Sequence, residues 1–466
     1  MGRGAGRIPL RGGGCLGAAR EPPQDNPRPR SVLTDGQPSL EYGAPCRIGP
    51  HALAHLSDPR NGGCWQAMVE PSGVQPVPPP LMTSEPGSFA EATIIRRKPQ
   101  IVEDVLRDND YPPEIVDALR ALSEEVLTGE IQPLAEPAPD RAEWDAQWCR
   151  YAGLTWRNVP WYFAEAFFYR RLLEAVRYFQ PGIWQGHDPF AAQKRRQIEG
   201  PGGAVTLAAE LIPLLPKDPA GAARALIYAS LWGNRVDLSN REVLAGAALE
   251  AGHPEDVLID DSAEIVDFLR REPHGRIDFI NDNAGPEAAF DLLLTDLILE
   301  QGWAQRVRMH LKAYPFFVSD AMVKDVRELI TRLEGATQTR DAADRLAGWL
   351  QSGTLELRDH PFWTSAYAFD EMPADLRREL GAADLVILKG DANYRRLLGD
   401  RHWPFTASLE EITAYFPAPY AVLRTLKAEI LVGLSESQVQ LLRSAEADWL
   451  INGRRGIIQL VVPPPR

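Results

Sequence analysis

Beyond Gly252 the chain alternates short apolar runs with amphipathic segments, and this alternation constrains the fold more than any other feature. Runs so short are poor helices but suit strands buried on both faces. They are Val257–Ile259, Ile277–Ile280, Arg308–Leu311, Pro315–Val318, Leu385–Leu388, Ala421–Leu423 and Ile457–Val462. Helical patterns at Pro286–Glu300, Ala321–Leu333 and Val439–Trp449 lie among them. The expectation is an α/β domain over residues 253–466 with parallel strands.

Upstream the spacing changes. Ile101, Val105, Ile115, Leu119 and Leu122 recur at threes and fours around the Pro112-Pro113 helix start, predicting an all-helical domain over 88–252. The aromatic stretch from Trp161 to Phe179 reads as a core-facing helix. Residues 1–87 are expected to form a disordered leader. The first 80 residues hold 14 of the 40 prolines and 13 of the 37 glycines, which leaves too little apolar surface to offset backbone entropy. Four arginines and no acid in its first twenty residues resemble a transit peptide, but Gly dominates and Ser is absent there, so the leader is read as untargeted. Met82, just ahead of the first ordered-looking segment, is an alternative start.

Charge and cysteine usage narrow the function classes. With 50 Lys+Arg against 64 Asp+Glu the net charge is -14, which opposes attraction to nucleic acid or anionic lipid. No apolar run is long enough to span a bilayer and no secretory segment is visible, so a cytoplasmic protein is expected. Three of the 4 cysteines, Cys15, Cys46 and Cys64, fall in the leader, leaving Cys149 for the folded part, so neither a disulfide framework nor thiolate zinc is expected. Oligomeric state is not legible.

In open α/β sheets ligands bind beyond the carboxyl ends of the strands, so the residues after each run carry the functional argument. Ile280 leads into Asn281-Asp282-Asn283-Ala284-Gly285-Pro286-Glu287. Val318 leads into Ser319-Asp320, Leu388 into Lys389-Gly390-Asp391-Ala392-Asn393-Tyr394-Arg395, and Leu423 into Arg424-Thr425-Leu426-Lys427. Taken singly, each carboxylate also reads as a helix cap or Asx turn, and Arg424 with Lys427 as a solvated helix face. Their coincidence at strand exits is the composition of a divalent metal beside an anion. Asp and Asn oxygens suit Mg2+ or Mn2+, and the eight histidines show no paired spacing.

These motifs, with Gly233-Asn234-Arg235-Val236-Asp237, resemble the damage-control phosphatases with an acidic-residue-methyltransferase-like fold, and Arg424-Thr425-Leu426-Lys427 is similar to the RTxK signature of its hexose-phosphate branch. The resemblance runs from about Gly87 to Val462. It implies a helical domain packed on a three-layer α/β/α, Rossmann-like domain, and one divalent metal (Mn2+, Ni2+, Co2+ or Mg2+) held by Asp282, Asn283 and Asp320. It also implies substrate contacts from Asp282, Asn283, Glu287, the segment Asp391, Ala392, Asn393, Tyr394 and Arg395, and from Arg424 and Lys427. Asp282, Asp320 and Lys427 are the expected catalytic residues, with Asp320 the candidate base. Ala392 stands where the family commonly has Leu, and Pro286 precedes Glu287; neither removes a functional group. The resulting expectation is a metal-dependent phosphatase of small sugar phosphates, fructose 1-phosphate and fructose 6-phosphate first. The rival is an S-adenosylmethionine-dependent protein carboxyl O-methyltransferase, which the Asp260-Asp261-Ser262 exit of the first run, lacking a Gly-rich turn, disfavours.

Overall fold

The computed structural model describes residues 77–233, 256–271 and 273–463. The chain divides into units 1–65 and 66–466, and every described residue belongs to the second. The leader up to residue 76 and Asn234–Asp237 of the first motif lie outside the described residues.

The apolar runs assemble into one seven-stranded sheet: β1 (Val257–Asp260), β2 (Ile277–Ile280), β3 (Val307–Leu311), β4 (Leu355–Asp359), β5 (Leu385–Lys389), β6 (Tyr420–Thr425) and β7 (Gly456–Val461), in the order β1-β7-β6-β5-β2-β3-β4. From β6 across to β4 all neighbours are parallel. Only at the β7 end does the direction reverse, since β7 runs antiparallel to β6 and β1 runs parallel to β7. β2, β3, β5 and β6 are buried along their whole length, which explains why they read as continuous apolar runs.

Successive residues of each strand face opposite layers. Ile280, Val386, Leu388, Tyr420 and Val422 pack with the helices of the amino-terminal region, including the aromatic helix Trp161–Ala175. Ile277, Phe279, Ile387, Ala421 and Leu423 pack with Pro219–Trp232, Pro286–Glu300 and Val323–Leu333. The result is helices on both faces of the sheet, an α/β fold with a helical amino-terminal region. Trp161–Ala175 is buried almost all round, as befits a central helix. Its two buried charges are matched: Arg170 grips Asp140 through two bonds of 2.8 and 2.9 Å, and Glu165 meets Lys98 at 2.5 Å.

Two strand expectations are corrected. Pro315–Val318 is a turn, with Phe317 at φ 46° and Val318 at φ 66°. β4 was not anticipated because Glu356, Arg358 and Asp359 break its apolar pattern; it is an edge strand whose charges face outward, a common guard against edge pairing. The expected leader also reached too far. Leu81 is fully buried, its N–H donates to Asp400 O at 2.9 Å and its carbonyl accepts from Trp161 N–H at 2.8 Å, so residues 77–87 are tied into the fold.

Candidate active site

The strand order turns back between β2 and β5: the chain steps from β2 outward through β3 to β4, then returns to β2's other side. Segments leaving two such strands diverge, and a crevice opens beyond their carboxyl ends. A pocket of about 300 Å³ lies there. Asp282, Asn283 and Glu287 line it from the β2 exit, Ser319 and Asp320 from the turn after β3, Gly390, Asp391 and Ala392 from the β5 exit, and Thr425 and Lys427 from the β6 exit.

The corrected turn builds the carboxylate pair. Its positive φ values bend the chain so that Asp320 bridges Asn283 in antiparallel fashion, with Ala321 N–H donating to Asp282 O and Ala284 N–H to Ser319 O, both at 2.7 Å. A bulky β-branched residue held at φ 66° costs roughly 1–3 kcal/mol, which the surrounding packing must offset. On the opposite side Gly390 sits at φ +82°, and a Cβ there would fall 2.0 Å from Asp282 Oδ2. Only glycine fits both the conformation and the approach. Gly390→Ala should therefore displace the Asp282 carboxylate and lose roughly 10–100-fold in metal affinity or turnover, as disturbed supports of metal ligands do. Melting and turnover measured together would check it; wild-type turnover would mean that Asp282 has room to move. Gly233 is similarly constrained, since a Cβ would meet the Glu287 backbone at 2.7 Å.

Burial and mutual repulsion dominate the electrostatics. Burial, with the charges of Asp320 and Glu287, holds the Asp282 carboxyl well above the usual carboxylate range. Asp320 is also pushed up by burial, opposed by the Lys312 ammonium, whose Nζ lies 3.1 Å from Oδ2. That buried oxygen makes no hydrogen bond of proper geometry. Glu287 meets the fully buried Lys389 at 2.9 Å, and Asn283 Nδ2 donates to Asp282 at 2.7 Å and to Glu287 at 3.0 Å. The Asn283 amide oxygen accepts from the Ser319 hydroxyl; flipped, it would face Asp282 instead. Among the described residues no three His, Cys, Asp or Glu side chains form a ready-made metal cage. Two carboxylates and an amide could instead supply part of an oxygen ligand set for a Mg2+-like ion.

Four expected site residues sit behind the pocket wall. Asn393 is buried and its amide donates to Lys389 O at 2.8 Å and Asn281 O at 3.3 Å, lacing β5 to β2. The Tyr394 hydroxyl accepts from Val432 N–H, and the Arg395 guanidinium pairs with Asp400 while lying 3.5 Å over the Trp161 ring. Arg424, fully buried, donates through Nε to Asp391 at 2.7 Å and through its terminal nitrogens to Ile430 O and Ala428 O. It orients Asp391 and folds the segment around Lys427. Lys427 itself is half-buried and, among the described residues, has neither ion pair nor hydrogen bond.

Sequence reasoning missed the wall supplied by the helical region: Phe89, Arg97, Trp161, Glu165 and Gln197. One signal was available, Glu165 as the single charged residue among the aromatic and small residues of Trp161–Tyr169. Burial pulls its partner Lys98 down to about 8.

Comparison with known proteins shows the family. The family model described as damage-control phosphatase ARMT1-like domain matches residues 93–442. The protein from Danio rerio named damage-control phosphatase ARMT1 is 31% identical over 447 residues, covering 85% of this chain and 99% of its own length. Its Xenopus laevis namesake is 32% identical over 82% of this chain and 98% of its own, and the Homo sapiens one 29% identical over the same shares. A solved DUF89 family protein from Pyrococcus horikoshii aligns with 80% of this chain and 97% of its own at 15% identity, with a TM-score of 0.45. A strand-end pocket of carboxylates on this sheet, together with matches spanning most of its length, means that the chain belongs to the damage-control phosphatase ARMT1-like family.

Proposed function

We propose that this protein is a metal-dependent phosphatase of small phosphorylated sugars, with fructose 1-phosphate and fructose 6-phosphate as first candidates. One observation carries the reading: Asp282 and Asp320, both held above their usual range, share one small pocket with Lys427, which acts on Asp282 through its charge but makes no direct ion pair among the described residues. Two buried carboxylates that raise each other call for a cation, and the lysine calls for an anion. At about 300 Å³ the pocket lies at the lower end for small molecules, roughly 300–1,000 Å³, which favours a metabolite over a polymer. The relatives are named phosphatases, which supports the phosphatase part of the reading.

Asp282, Asp320 and a flipped Asn283 are the residues to hold the ion. A divalent ion so bound supplies charge neutralisation at the phosphoryl group and a lowered pKa for attacking water. The remaining work falls to the chain. Lys427 donates to a phosphoryl oxygen as charge shifts, and Asp391, fixed by Arg424, accepts from a sugar hydroxyl. Asp320 is the carboxylate best placed to take the proton from water, because Lys312 stabilises its ionised form.

The methyltransferase alternative gains no support at β1. That strand lies at the sheet edge, and it ends in Asp260, whose carboxylate accepts from Tyr228 OH and Ser262 N–H. Phosphate release from fructose 1-phosphate decides the matter. Turnover should vanish with EDTA and return on adding Mn2+, Mg2+, Co2+ or Ni2+; EDTA-resistant release, or none with any metal, would refute the proposal.

A further inference from the structure

The helix that opens the amino-terminal region is not uniform. Between Phe89–Ala92 and Lys98–Asp108 the segment Thr93–Arg97 forms a π-turn, in which Lys98 N–H donates to Thr93 O, five residues back. Pro99 lacks an N–H and would leave the Ile95 carbonyl without its usual helical donor, which favours the wider turn. Such single-turn bulges are frequent at functional sites. This one parts two adjacent cations. Lys98 turns inward onto Glu165, under the rings of Phe168 and Tyr169 at 4.8 and 4.6 Å. Arg97 is left exposed on the pocket wall, where among the described residues it makes no hydrogen bond or ion pair.

A charge count around the pocket gives Arg97 its meaning. Five acids line it, and four own a cation: Glu165 has Lys98, Glu287 has Lys389, Asp320 has Lys312 and Asp391 has Arg424. Asp282 is the exception, and it lies where a metal is proposed. Two cations lining the pocket, Arg97 and Lys427, make no direct ion pair among the described residues; Glu165 and Asp391 act on Arg97, and Asp282 on Lys427, only through longer-range charge. A phosphate monoester dianion complements that pair, as it would not if either lysine or arginine were already neutralised. Arg395, a substrate contact implied by the resemblance, is occupied with Asp400 behind Trp161.

We propose that Arg97 is a further substrate-binding residue, which grips the phosphoryl group from the helical wall opposite Lys427. The assignment rests on the phosphatase reading and adds a residue from outside the sheet. A guanidinium can offer two parallel N–H donors to phosphoryl oxygens, which fixes the ester's orientation as well as its charge.

The test uses the full chain with Arg97→Met and Arg97→Lys. Two quantities are read: binding of inorganic phosphate to the metal-free protein by calorimetry, and kcat and KM on fructose 1-phosphate with Mn2+. Arg97→Met should weaken phosphate binding and raise KM by about tenfold to a hundredfold, the usual worth of a charge-assisted contact. Arg97→Lys should recover part of both. Melting should not move, since Arg97 makes no hydrogen bond to lose. Phosphate affinity and KM both within about twofold of wild type in Arg97→Met, with Lys427→Met impaired, would overturn the assignment and leave the phosphatase reading standing. A raised KM with unchanged phosphate affinity would also overturn it, moving Arg97 to the sugar. A wild-type chain that neither binds inorganic phosphate nor releases it would instead sink the phosphatase reading, and this proposal with it.

Discussion

Asp282→Ala and Asp320→Ala should each bring metal-dependent phosphate release to background, a loss of about a thousandfold or more when a metal-organised nucleophile is removed. The two carboxylates arrive from different strand exits and are joined by the bridge between Asn283 and Asp320. Either substitution leaves a hard cation with one carboxylate and an amide. Stability should move differently from activity. The Asp282 carboxyl lies well above its usual range, so the ionised form is destabilising in the folded, metal-free chain at neutral pH. Asp282→Asn should then melt no lower than wild type without metal, yet show none of the rise in melting temperature that added Mn2+ is expected to give the wild type. A helix cap would behave in the opposite way, costing about 1 kcal/mol of stability and little turnover. Retained turnover in either Ala variant would remove that residue from the site.

Lys427→Met should lower both kcat and kcat/KM by about a hundredfold or more, the scale expected of a preorganised charged donor in a water-poor site. Charge that builds up in the transition state, beyond that of bound substrate, is what makes kcat fall too. Lys427→Arg should recover only part, because a planar fork does not reproduce a compact ammonium. Steady-state kinetics on fructose 1-phosphate at saturating metal is the measurement. A change below about twofold would return Lys427 to the role of a solvated surface charge.

How far sequence reached depended on what each residue's neighbours in the chain could reveal. β2, β3, β5 and β6 were legible because burial on both faces leaves a continuous apolar run. Pro315–Val318 looked the same, but there the tertiary need to bring Asp320 against Asn283 overrode local preference and forced left-handed backbone at Phe317 and Val318. In the helix Gly390–Leu397 the site residues were read as a block, whereas each residue turns about 100° from the last. Asp391 and Ala392 face the pocket, while Asn393, Tyr394 and Arg395 rotate into the interior. Arg97 gave no local sign, since nothing in its surroundings separates it from any arginine on a solvated helix.

The sharing of one core between the helical region and the sheet has a consequence for how the chain reaches its native state. Phe89 N–H is held by the Glu429 carboxylate, 340 positions later, and Pro78 O by Arg401, 323 positions later. Contacts of that span cannot form on a ribosome until nearly the whole sequence has emerged. The aromatic helix Trp161–Ala175 must wait for β5 and β6 with its apolar girdle uncovered, a state prone to self-association. High contact order of this kind makes folding slow and makes early truncation costly. The pocket, whose walls come from Phe89 at one end and Lys427 at the other, is among the last features to be completed, so a nascent chain brings Arg97 and Lys427 to one cavity only when closure is finished.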